Sequence, residues 1–142
     1  MTLQRQQSVV AGISLVYDLA IGLALLVATD RFASLFGVVV PEPRLFVTLT
    51  GIFLVCVGLG YLQPLRDPDK HRAYLWIFGP LLKGAGAAVF AWDYLHNGSP
   101  ASYLLFAASD GTLALVTLVV LRGTGVISTE TTKTGTGVSV RG

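Results

Sequence analysis

Residues 8–28 read SVVAGISLVYDLAIGLALLVA, and the single charged side chain in this stretch is Asp18. Crossing a hydrocarbon layer ~30 Å thick takes about 20 residues at ~1.5 Å each. The segment therefore has the length and composition of a membrane span, interrupted near its middle by one carboxylate. Three more stretches of the same kind follow, at about 45–63, 73–95 and 101–121. Lipid offers backbone polar groups no partner, so only helices or closed barrels cross it. These segments lack the alternation of a barrel strand. The expected fold is all-α: an integral membrane four-helix bundle over residues 1–122, helices about 8–28, 45–63, 73–95 and 101–121.

Composition agrees. The 142-residue chain is 53% hydrophobic and 13% charged, against about 25% charged in soluble domains, and its mean hydropathy is +0.68. This excludes a disordered regulator and a water-soluble enzyme. A net charge of +2 is too small to draw polyanions strongly, so no nucleic acid is expected as a partner. Cys56 is the one cysteine, which leaves no internal disulfide and no metal cluster. No cofactor is expected. The first apolar run is longer than the ~7–15 residues of a secretory signal core, and no small-x-small cleavage site follows it, so it reads as a retained helix.

Basic residues set the expected orientation. With four spans, both termini and the middle loop share one side, which holds Arg5, Arg66, Lys70, Arg72 and Arg122 near the membrane. The other side holds Arg31 and Arg44. Five against two places both termini in the cytoplasm. Tyr61, Tyr74 and Trp76 then fit the inner interface, and Phe46, Trp92, Tyr94 and Tyr103 the outer one. Between the first two spans, Asp30–Gly37 (DRFASLFG) reads as a short amphipathic turn. Asp30 caps it, Gly37 ends it, and Phe32, Leu35 and Phe36 dip into the outer leaflet. Residues 123–142, rich in Thr, Gly, Ser and Val, have too little apolar surface to fold and read as a disordered cytoplasmic tail.

Charges inside the spans carry the functional information. Asp18, Lys83 and Asp110 each fall near the centre of their own span, too deep for Lys83 to snorkel to water. A central Asp or Lys costs ~2.5–3.5 kcal/mol to insert, and each Leu, Ile, Val or Phe returns ~0.3–0.6. The first and fourth spans have eleven and ten such residues, the third only eight. That third helix holds Lys83 plus Asp93, so it is the marginal one, and Lys83 is expected to insert against a partner already in place. Small residues share the stripes of the charged groups: Ala11, Ser14 and Gly22 with Asp18; Gly79, Gly86 and Ala87 (with Phe90) for Lys83; Ala107 and Ala114 (with Tyr103 and Thr117) for Asp110. The second helix offers Thr48, Gly51, Val55 and Gly58. Small residues let membrane helices approach, which brings the trio towards the bundle axis. Pro80, one turn before Lys83, is expected to kink the third helix.

Besides a carboxylate acting as proton donor in a lipid-modifying enzyme, two meanings fit such a trio. It ties three helices together, with one carboxyl protonated or hydrogen-bonded to Ser14 or Tyr17. Or it forms a midplane site, because two carboxylates against one ammonium leave a negative charge over, and low dielectric then favours uptake of a proton or a cationic group. The candidate ligand-binding residues are Asp18, Lys83 and Asp110, with Tyr17, Ser14 and Trp92 around them. No catalytic or metal-ligating constellation is read. Asp93 reads as solvated at the outer headgroups, residues 67–72 as a solvated turn, and Cys56 as an inert packing thiol.

Tyr17-Asp18, Pro43-x-x-x-Phe46 leading into Gly51…Gly58-x-Gly60-Tyr61, then Asp67-Pro68, Lys83 and Asp110-Gly111 together resemble small bacterial four-helix membrane proteins of the DoxX-like group, over residues 9–122. The resemblance implies a bacterial inner (cytoplasmic) membrane protein linked to redox and quinone-associated pathways. The chain has no cysteine pair or haem-ligand histidine with which to carry electrons itself. The expected function is non-enzymatic: binding of a lipid, a quinone or another hydrophobic small molecule, or of a proton, at the polar layer. Membrane lipid is the expected partner, with a homo-oligomer or larger membrane complex as further partners. The alternative is an accessory or assembly subunit of such a complex, in which Gly51 and Gly58 meet the partner chain.

Overall fold

A computed structural model describes residues 2–131, with side-chain surroundings as far as Gly123; residues 132–142 of the expected tail lie outside the described residues. Among the described residues all regular structure is helical. In chain order the elements are α1 (Leu3–Val27), α2 (Thr29–Phe36), α3 (Leu45–Gly60), α4 (Leu62–Arg66), α5 (Arg72–Trp76), a π-helical turn (Ile77–Leu81), α6 (Leu82–Asn97) and α7 (Ser102–Thr131). The runs Leu3–Val27, Leu45–Arg66, Arg72–Asn97 and Ser102–Gly123 are four helices long and apolar enough to cross a membrane.

Helix ends differ from the sequence expectation for local reasons. Helix α1 starts at Leu3 rather than Ser8, because the Thr2 hydroxyl accepts the Arg5 N–H (3.4 Å) and supplies an N-cap. Asp30 does not cap α2. It pairs instead with Arg44 (2.9 Å) across the loop, and α2 has no side-chain cap. Gly37 does end α2, with φ +64°, a conformation glycine adopts without strain. Pro80 lies within the π-helical turn; a proline cannot donate to the helical ladder, and a widened turn absorbs its ring. Helix α7 continues past Gly123 to Thr131; no proline follows Pro100 to stop it.

Helices α1 and α3 form one tightly packed pair, α6 and α7 another, and the two pairs meet along α1 and α7. Glycines set the closeness of the first pair. A Cβ on Gly22 would lie 2.9 Å from the Gly51 carbonyl oxygen and 2.9 Å from Val55 N, and one on Gly58 would lie 3.1 Å from Leu19 N. Gly51 and Gly58 are thus consumed inside the bundle by α1, and the face expected to meet a partner chain is already occupied.

The end carrying the N-terminus is densely packed. Ala11, Val57, Tyr61, Leu75 and Leu121 form its buried core, with Leu15, Tyr74, Phe78 and Leu82 against it. Tyr61 and Tyr74 were expected among the interfacial aromatics, yet Tyr61 is fully buried and stacks edge-on against Tyr74 at 5.1 Å. Tyr74 donates to the Val57 carbonyl (2.5 Å) through the space that the missing side chain of Gly60 leaves. These contacts close the seam between the second and third spans at this end. Gln4 to Asp69 and Arg72 to the Leu121 carbonyl (2.6 Å) tie α1, the middle loop and α7 together.

Candidate functional site

Farther along the bundle the same seam is open. Helices α3 and α6 scarcely touch, and between them lies a cavity of about 330 Å³. Helix α1 contributes Tyr17, Asp18, Ile21 and Leu25; α3 contributes Thr50, Phe53 and Leu54. Helix α6 contributes Leu82, Lys83, Gly86 and Phe90, and α7 contributes Tyr103, Phe106 and Asp110. Phe32 of α2 and Val38 after it roof the far end. The walls are hydrocarbon and aromatic, and the formal charges on them are those of Asp18, Lys83 and Asp110.

The three central charges meet. Their spans are centred near residues 15, 84 and 112, so helical rise alone puts them at similar depth. Lys83 Nζ lies 2.6 Å from Asp18 Oδ1 and 4.0 Å from Asp110 Oδ1. The first contact is a charge-assisted hydrogen bond; the second is attraction at a distance. Lys83, reaching from α6 to α1, is one link between the two helix pairs at this depth. Its ammonium also lies 4.8 Å from the centre of the Tyr17 ring, within the range of a cation–π contact.

The two acids are unequal. The side chains of Asp18 and Lys83 are 2% and 4% exposed, and that of Asp110 is 17% exposed. Asp18 is sealed into the ion pair, although its Oδ2 has no hydrogen-bond partner. Asp110 faces the cavity, in room that Gly86 supplies: a Cβ there would lie 3.4 Å from Asp110 Oδ2. Beside it, the Tyr17 hydroxyl hydrogen-bonds Ser109 Oγ at 2.7 Å, joining α1 to α7.

The remaining sequence candidates divide. Tyr17 lines the cavity. Ser14 is fully buried with its Oγ unpartnered, but it lies off the cavity wall, one turn nearer the packed end. Trp92 is not brought to the site: it is 62% exposed and stacks on His96 at 3.8 Å. Asp93 accepts from Asn97 and Ser99 and so fastens the turn before α7. Cys56 is exposed rather than packed.

Of the aromatic wall, Phe90 and Tyr103 lie on the stripes expected to face inward, whereas Phe32, Phe36 and Phe106 are additions that the sequence reading missed. Phe32 and Phe36, expected to dip outward with Leu35, turn inward onto Phe106 at 6.0 and 5.0 Å; Leu35 alone remains outward, 79% exposed. Phe90 meets Tyr103 edge-on at 5.4 Å and Phe106 at 5.4 Å, so Tyr103 is a wall residue rather than a headgroup anchor. A signal was present: Phe106 is four residues before Asp110, on the same stripe. Among the described residues no group of His, Cys, Asp and Glu is placed to hold a metal ion.

Comparison of the chain with family models, curated proteins and solved structures returns no match.

Proposed function

We propose that this chain is a multi-pass protein of the bacterial inner membrane, with both termini cytoplasmic, and that its cavity binds an amphiphilic small molecule. The ligand's polar head meets the Asp18–Lys83–Asp110 layer and its apolar body lies against the aromatic wall. One observation carries the reading: a cavity with a charged floor, apolar walls and a gap between α3 and α6 on the flank of the bundle. A water-filled site would have no use for such walls, whereas a ligand dissolved in lipid reaches this gap without crossing an interface. Small-molecule pockets of ~300–1,000 Å³ with few placed polar groups have this general form. The resemblance to DoxX-like proteins supports a quinone or a lipid as the occupant, and a non-enzymatic role.

Mass spectrometry of what copurifies from the membrane tests this. Wild type is expected to retain a defined amphiphile that Gly86→Leu, which fills the cavity beside Asp110, loses. Identical copurifying species in the two proteins would contradict the proposal.

A further inference from the structure

Asp110 is the acid without a close cation. Lys83 is committed to Asp18 at 2.6 Å and stands 4.0 Å from Asp110, so with all three groups ionised the cavity floor carries one surplus negative charge. Asp18 lines the same cavity, is 1% exposed, and keeps Oδ2 unpartnered. Above the acids stand aromatic rings: Phe90 with Tyr103 and Phe106, each pair 5.4 Å apart. A carboxylate in a cavity walled by aromatic rings is the chemistry that recognises an ammonium group. An anionic head would add to the surplus charge, and a neutral head would require one of the carboxyls to take up a proton, whereas a cationic head compensates the charge directly.

We propose that the cavity takes a lipophilic amine, its protonated nitrogen on Asp110 among the rings and its alkyl chain towards Leu25, Phe53 and Leu54. This rests on the cavity reading above and narrows its ligand to a cation. The gap between α3 and α6 admits the chain from the side.

The test uses the full chain in phosphatidylcholine nanodiscs, with decylamine, decanol and decanoate measured by equilibrium dialysis against protein-free nanodiscs. Decylamine is expected to bind at least about tenfold more tightly than decanol, the worth of one charge-assisted contact, and decanoate not above the protein-free discs. Asp110→Asn is expected to abolish the preference for amine while still binding decanol. Gly86→Leu, which keeps both acids, is expected to weaken amine and alcohol together. Decanol or decanoate matching decylamine in wild type overturns the inference, as does an intact amine preference in Asp110→Asn. Unchanged decylamine binding in Gly86→Leu overturns it whether or not Asp110→Asn folds. If decanol binds and is lost in Gly86→Leu but amine is not preferred, this inference fails and the cavity reading stands; if nothing binds above protein-free discs, both fail.

Discussion

Lys83→Met removes an ammonium that lies 2.6 Å from one carboxylate and 4.0 Å from another, and the two distances predict unequal couplings. At an effective dielectric of about 20, unit charges attract by about 6 kcal/mol at the shorter distance and about 4 at the longer. Only the shorter contact adds a hydrogen bond between charged groups, worth ~1.5–3 kcal/mol. Desolvation cancels much of either total, and measured couplings between interacting residues run to about 3 kcal/mol. We therefore expect a double-mutant coupling of about 3 kcal/mol for Asp18→Asn with Lys83→Met, and about 1 kcal/mol for Asp110→Asn with Lys83→Met. Lys83→Met alone is the costliest single change, at about 3 kcal/mol or more, because it strands Asp18 in the interior. The assay is SDS-driven unfolding in mixed micelles, followed by near-UV circular dichroism of the tyrosine cluster. Equal couplings, or a larger one for Asp110, would refute the asymmetry on which the site is built.

Further expectations concern packing and topology. Gly22→Val meets the backbone of Gly51 and Val55 at 2.9 Å, which cannot yield, so it is expected to cost about 2–3 kcal/mol by overpacking. Gly84→Ala, whose Cβ finds Ala114 Cβ at 3.8 Å, is expected to leave thermal unfolding unchanged or raised; similar midpoints for these two variants would contradict the α1–α3 contact. Tyr74→Phe deletes the hydroxyl on the Val57 carbonyl and is expected to lose about 1 kcal/mol in the same measurement, and no loss would mean that the seam closes without that bond. With Cys56 replaced by Ala, Pro100→Cys is expected to react with an impermeant maleimide on intact cells and Asp69→Cys only after permeabilisation; the reverse pattern would invert the proposed orientation.

The four long apolar helices were legible because apolar runs of this length favour helix, and the meeting of Asp18, Lys83 and Asp110 was legible because their matching positions along the helices and the small-residue stripes follow from helical periodicity. What escaped depended on tertiary direction. Periodicity told that Phe32 and Phe36 share a face but not that the face turns onto Phe106 rather than lipid. Interfacial preference placed Tyr61 and Tyr74 at a headgroup level, yet Gly60 leaves space that Tyr74 fills. Trp92 lies on the same helix as Lys83, but nine residues beyond, it points to a different side, where His96 stacks on one face of its ring. The gap between α3 and α6 is a property of which helices pair, and no single helix encodes it.

Photolabelling from the lipid phase tests the central claim most directly. An alkyl diazirine dissolved in the bilayer inserts readily into carboxyl groups, and peptide mass spectrometry reads where it has gone. A cavity open to lipid between α3 and α6 predicts strong modification of Asp110, weak modification of the sealed Asp18, and loss of the Asp110 signal in Gly86→Leu. Label confined to outward side chains such as Val116 and Val119, with Asp110 untouched in the wild-type protein, would contradict it.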